Sequence, residues 1–282
     1  MVRFRCSCRP RRRAGRAVVI GGLRRIKAAA RDAIPAAWRV PAKYWHARIT
    51  GTLEPEMALL VALVGRGERA IDVGGNFGAY AYALARLDAR VEVFEPNPIC
   101  LRALRAWAAD RKRVAIHPFA LSAIAGSAAL AIPMEADGTE HDAAGSIEPG
   151  LGEHARLETV AVRTLDSFGF EDAALIKIDV EGHEAAVIEG ALTTIAASSP
   201  ALLVEIEQRH RVSPIGATFD RFAALGYRGY FLRDGVLLDL ARFAVSRDQA
   251  ATALGSAAYV NNFLFLAEAR VRAGDYRAMV RA

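Results

Sequence analysis

The stretch Ala70-Ile71-Asp72-Val73-Gly74-Gly75-Asn76-Phe77-Gly78 decides how this chain is read. An apolar run ends in an acid, three glycines follow within five positions, and the Ala/Tyr/Leu segment Ala79 to Leu87 reads as helix. Strand, tight turn and helix in that order make a loop whose backbone a ligand can touch. A side chain at Gly74 or Gly78 would forbid the turn or block that approach. The G-x-G-x-x-G spacing of a dinucleotide fingerprint is absent, because the glycines fall at 74, 75 and 78.

Outward from this turn the chain alternates between strands and helices, which predicts a doubly wound α/β sheet. Arg69 to Val73 is the first strand, Arg90 to Phe94 the second and Val114 to Phe119 the third. Asn97 and Pro98 carry the capping chemistry that opens the helix between the second and third. Ser127 to Pro133 and Thr159 to Leu165 read as short strands around a Gly- and acid-rich insertion, Met134 to Glu158, expected to be a mobile lid. Ala174 to Ile178 and Ala201 to Ile206 are buried strands, and Ala185, Ile188, Leu192 and Ile195 mark a helix between them. Tyr227 to Leu232 and Tyr259 to Leu266 read as an antiparallel edge. Upstream, a helix from Pro55 places Met57, Leu60, Val61 and Val64 on one face. The expected fold is a mostly parallel seven-stranded sheet with an antiparallel edge hairpin, helices on both faces and an N-terminal helical extension. The expected domains are 1–52, a basic tail and extension, and 53–282, the α/β body.

The 282 residues suffice for one large domain plus an extension, and the 53% hydrophobic content supports a full core. The net charge of +6 is unevenly placed: residues 1–31 carry eleven Lys/Arg and no acid, leaving 26 basic and 31 acidic residues elsewhere. A nucleic-acid enzyme would carry its basic patch on the body, so no nucleic-acid partner is expected. The tail is read first as a solvated segment. Its functional reading is weak attraction to an anionic lipid or polymer surface, and residues 17–34 are read as a basic helix that caps the domain or rests on a membrane. Cys6, Cys8 and Cys100 lack C-x-x-C spacing, which argues against a zinc site or disulfide framework. No apolar run is long enough to span a bilayer, and the chain is read as soluble and cytoplasmic.

Four expected strands end with or near an acid: Asp72, Glu95, Asp179 and Glu205. Ligands of open parallel sheets sit at the carboxyl ends of the strands, so these acids form a candidate rim. Glu95 stands 23 residues after Asp72, where a carboxylate accepts hydrogen bonds from a ribose diol. Asn76 and the turn amides would hold the polar end of such a ligand. From these residues alone, a nicotinamide-dependent oxidoreductase and a non-catalytic nucleotide-binding module both stay open.

Asp72-Val73-Gly74-Gly75-Asn76-Phe77-Gly78, Phe94-Glu95-Pro96-Asn97-Pro98, Ile176-Lys177-Ile178-Asp179-Val180-Glu181-Gly182-His183-Glu184 and Leu203-Val204-Glu205 together resemble the FkbM-type methyltransferases. These are class I, Rossmann-like enzymes that use S-adenosylmethionine, and the likeness runs from about Leu53 to Leu266. It implies O-methylation of a hydroxyl on a sugar, glycan or secondary metabolite. It also implies that Asp72, Gly74, Gly75, Asn76 and Gly78 form the methionine-side loop, that Glu95 binds the ribose, and that Asn97 and Ser122 complete the cofactor site. Two positions depart from the family: Gly75 replaces an Ala, expected to loosen the turn slightly, and Ala123 stands where an Asp is usual. Asp179, His183 and Glu205 are the catalytic candidates, with Asp179 first because a strand end fixes it. His183 has the better intrinsic pKa for a base. Asp179, Glu181 and Glu205 are hard oxygen ligands, but no spacing demands a metal and none is assigned.

Overall fold

The computed structural model describes residues 34–133, 155–211, 213–256, 258–276, 279 and 280. All described residues from Ala36 onward belong to one compact unit. Most of residues 17–34, and 134–154 of the insertion, lie outside the described residues.

The strands in chain order are β1 (Arg69–Val73), β2 (Arg90–Phe94), β3 (Val114–His117), β4 (Ala120–Leu121), β5 (Gly126–Pro133) and β6 (Ala155–Arg163). They continue as β7 (Ala173–Ile178), β8 (Ala201–Glu205), β9 (Tyr227–Arg233), β10 (Val236–Asp239) and β11 (Asn262–Ala267). Eight strands form the main sheet in the order β10-β9-β11-β8-β7-β1-β2-β3. From β3 to β8 neighbouring strands are parallel, and β11, β9 and β10 run antiparallel to their neighbours.

The sheet has eight strands rather than seven. The added strand, β10, is joined to β9 by Asp234-Gly235, both in the left-handed region with φ of +50° and +75°. That is the geometry of a two-residue hairpin turn. The strand read at 259–266 begins at Asn262, and it enters between β8 and β9 instead of forming the edge.

Alternation along the strands feeds two cores, one per face. Ala70, Leu175 and Leu203 face the helices Ala36–Thr50, Ala79–Arg86 and Pro98–Ala108 through Val40, Tyr44, Leu84, Leu104 and Trp107. Ile71, Ile176, Leu202 and Val204 face the helices Glu184–Glu189, Leu192–Ser198 and Gly216–Ala224 through Val187, Ile195 and Phe222. Because Val40 and Tyr44 are core residues, the helix Ala36–Thr50 packs with the body rather than with a separate extension.

Three local readings change. The helix expected from Ala185 through Ile195 breaks at Gly190 into two short ones. The helix from Pro55 begins as a 3-10 turn before Leu60–Leu63, and this change of pitch leaves Val61 exposed while Met57, Leu60 and Val64 are buried. The strands flanking the insertion form a separate sheet, β4-β6-β5, and β6 starts at Ala155, inside the expected lid.

Candidate active site

β1 and β2 end side by side, and the glycine turn folds over their carboxyl ends. The N–H groups of Gly74 and Gly75 both donate to the Phe94 carbonyl, at 2.9 and 3.1 Å. Gly74 has a φ of +76°, and a Cβ there would lie 1.8 Å from the Asp179 carbonyl oxygen. That glycine is therefore needed for the approach of the β1 and β7 loops, independently of any ligand. At Gly75 a Cβ would sit 2.3 Å from Cγ1 of Val93, a branched side chain with little freedom to move. The glycine at 75 is thus fitted to Val93 and does not merely loosen the turn.

Asn76 takes a left-handed conformation, φ +47°, and its N–H donates to Oε2 of Glu95 at 2.6 Å. The other oxygen, Oε1, accepts from the Asn97 N–H at 2.7 Å. Asn97 in turn caps the helix Pro98–Ala108, its Oδ1 accepting from the Ile99 N–H at 2.9 Å. Glu95 is thus fixed by two backbone amides, and each of its oxygens keeps a second lone pair for another donor. Burial pushes its pKa up to about 7 against the pull of those amides, and the charges of Asp72 and Asp179 add to the rise.

A hollow of about 690 Å³, including its solvent-open part, lies beside this carboxylate. Gly74, Asn76, Glu95 and Asn97 line one wall. Phe119, Leu121 and Leu130 give it an apolar wall from the smaller sheet and the segment before it. Asp179, Glu181 and His183 close it at the end of β7. His183 Nε2 stands 3.0 Å from the Ser122 hydroxyl.

Six of the sequence-predicted residues therefore meet at one hollow: Gly74, Asn76, Glu95, Asn97, Asp179 and His183. Five do not line it. Asp72 is buried behind the turn, with no hydrogen-bond partner at close range, and burial raises its pKa to about 6 against the opposing charge of Lys177. Gly75 faces Val93, and Gly78 packs toward Leu104 and Val40. Ser122 stands one side chain back, behind His183. Glu205 belongs to a second group of polar residues.

That second group gathers where β7, β8 and β11 end. Lys177, buried in β7, donates from Nζ to Oδ2 of Asp179 at 2.8 Å and lies 4.8 Å from the Tyr80 ring centre. Burial opposes its charge, but Asp179, Asp72, Glu54 and Glu205 outweigh burial and raise its pKa. Tyr80 donates to Glu54 Oε2 at 2.6 Å, and Asn262 Nδ2 reaches the same oxygen at 3.2 Å. Asn261 donates to Glu205 Oε1 at 2.7 Å. Burial and the charge of Asp179 push the Glu205 pKa far above the usual carboxylate range. Sequence reasoning missed Glu54, Tyr80 and Asn261, which lie outside any motif. It also missed Cys100, whose thiol lies 3.7 Å from Asn76 Oδ1. The charge of Lys177 inside an apolar strand was the one visible signal.

The model of the methyltransferase FkbM domain matches residues 72–229, more than half of the chain. No curated protein matches. Among solved structures, the methyltransferase FkbM of Methylobacillus flagellatus is 16% identical, with a TM-score of 0.47 over 82% of this chain. This chain spans only 55% of that protein's length. A TehB-like methyltransferase of Corynebacterium glutamicum is 12% identical, with a TM-score of 0.41 over 82% of this chain and 95% of the other. An Aeropyrum pernix fibrillarin with bound S-adenosyl-L-methionine is 13% identical, with a TM-score of 0.43 over 74% of this chain and 72% of the other. The match across residues 72–229 covers the glycine turn, Glu95, the Asp179 loop and β8, so the chain belongs to the FkbM methyltransferase family and is a methyltransferase.

Proposed function

We propose that this chain uses S-adenosylmethionine to methylate a hydroxyl oxygen on a sugar, glycan or secondary metabolite. The observation that carries this reading is the meeting of Gly74, Asn76, Glu95 and Asp179 at one hollow. The donor set fits the cofactor. Glu95 offers two oxygens, already oriented by amides, to a ribose diol. Phe119, Leu121 and Leu130 offer an apolar slot for a flat base, and the acids at the strand ends favour a cation. Gly74 and Asn76 would hold the amino-acid end.

When bound, S-adenosylmethionine supplies a methyl group on a positively charged sulfur. The protein's tasks are to orient the acceptor oxygen, to exclude water and to take a proton. Alignment of reactants supplies about 7–11 kcal/mol in well-oriented systems. Asp179 is assigned the proton: it borders the hollow, and the ammonium of Lys177 holds one of its oxygens in place. A base so placed contributes about 10²–10⁴-fold. Glu205 is less suited to begin the transfer, because it stands outside the hollow. His183 is the second candidate, steered by the Ser122 hydroxyl.

Incubation with methyl-labelled cofactor and fractionated cell extract tests the proposal. Label in a polar, hydroxyl-bearing fraction, lost in Asp179→Asn, is the expected result. Label only on nitrogen or carbon acceptors would overturn the hydroxyl assignment. The family match over residues 72–229 supports methyl transfer over the oxidoreductase and binding-module alternatives.

A further inference from the structure

The helix Ala36–Thr50 has two unlike sides. Val40 and Tyr44 are buried in the core. On the opposite side, Trp38, Ala42, Trp45 and Ile49 recur at i, i+4, i+7 and i+11, which aligns them in one stripe along the helix. Trp38 is 67% exposed, Trp45 41% and Ile49 82%. Single exposed apolar residues are ordinary, but an aligned row with two tryptophans marks an interaction face.

Charge identifies what that face meets. Arg39 and Arg48 flank the stripe, one on each side, and Arg86 lies 5.1 Å from the Trp45 ring centre. Between Asp32 and Glu54 the chain carries no acid. The 31 residues before that interval add eleven basic residues and no acid, while the body that follows has more acids than bases. A soluble protein partner would need an acidic surface with an apolar seam. An anionic bilayer offers negative headgroups above an apolar layer over its whole area. Tryptophan favours that boundary, and long basic side chains reach back from it to the headgroups. Stable anchoring takes two signals, an apolar face and a basic cluster, and this chain has both.

We propose that the Trp38–Trp45–Ile49 stripe, with Arg39 and Arg48 beside it, docks this enzyme on an anionic membrane surface. The inference stands on the helix face and the charge, and it is independent of the methyl acceptor.

The test uses the full chain with vesicles of phosphatidylcholine alone or mixed with phosphatidylserine. Flotation should show at least about tenfold stronger partitioning onto the mixed vesicles, weakened by added salt. Trp38→Glu/Ile49→Glu should reduce partitioning about tenfold or more, with the thermal midpoint unchanged because both sites are exposed. Trp38→Ser/Ile49→Ser, which adds no negative charge, should show the same direction. Quenching of tryptophan emission by brominated acyl chains should accompany binding. Several results would overturn the proposal. One is no flotation with mixed vesicles. Another is flotation untouched by both double variants, which would leave the charge acting alone. Self-association lost in the variants, without vesicle binding, would assign the stripe to a second copy. Binding of duplex DNA in place of vesicles would assign the charge to nucleic acid.

Discussion

The hollow and the polar group beside it are built from different materials. At the ends of β1 and β2 the work is done by backbone: a left-handed Gly74, a left-handed Asn76, and amides that hold Glu95 at 2.6 and 2.7 Å. At the ends of β7 and β8 it is done by side chains: Lys177 pairs with Asp179, Tyr80 donates to Glu54 and Asn261 donates to Glu205. A backbone site tolerates few residues and has a fixed shape. A side-chain site has a shape that depends on where its protons are, and it can be altered one residue at a time.

The difference can be broken at its largest effect by Lys177→Met. Removing one partner of a buried charge pair costs about 3–5 kcal/mol, since Asp179 and its neighbours are left without a cation. Urea unfolding should show that loss, and a near-neutral result would mean the group is not held by charge. Gly74→Ala comes next. Left-handed backbone plus an overlap with the Asp179 carbonyl should cost about 2–4 kcal/mol by the same measurement. A stable Gly74→Ala protein with intact activity would contradict the tight approach of the two loops.

Gly75→Ala sharpens the comparison, because its obstacle is a side chain. It should cost about 1–3 kcal/mol. Val93→Ala in the same chain should recover part of that cost, with a coupling of at least about 0.5 kcal/mol in a double-mutant cycle. Strict additivity would show that the turn simply moves aside.

The smallest effect is on pH, and its two readouts have opposite signs. Burial raises Glu95, Glu56 and Glu181 to about 7 and Asp72 to about 6. Between their unfolded values and those values the folded chain holds more protons than the unfolded one. These groups therefore lower stability as pH rises from about 4.5 to 7. Cofactor affinity should move the other way, since a diol donates better to an ionised Glu95. The gain is at most about tenfold per pH unit, levelling off above pH 7. Calorimetric titrations at several pH values would show both trends together, and a flat affinity profile would remove Glu95 from the contact.

The same contrast explains what could be read from the chain. The turn, Glu95 and the capping Asn97 were legible because backbone geometry demands glycine, an acceptor and a cap at set spacings. The apolar runs Ala174 to Ile178 and Ala201 to Ile206, set between helical patterns, made the sheet legible, and alternate residues of each run feed its two cores. The hairpin of β9 and β10 was signalled by Asp234-Gly235, a strong turn pair that went unread. Glu54, Tyr80 and Asn261 gave no such signal. They come from a loop, a helix and a strand entry, and Glu54 also meets Asn262, 208 positions along the chain. Only packing brings them together. Gly75 was misread because its neighbour, Val93, belongs to another strand.

Calorimetric binding of S-adenosylmethionine to the intact protein and to Glu95→Ala tests the central claim most directly, with Glu95→Gln as a volume-preserving control. One site in the intact protein and an affinity about 10–100-fold weaker in Glu95→Ala is the expected result, the size of a charge-assisted hydrogen bond. Equal affinity in the two folded proteins would contradict the placement of the ribose at Glu95, and with it the reading of this hollow as the cofactor site.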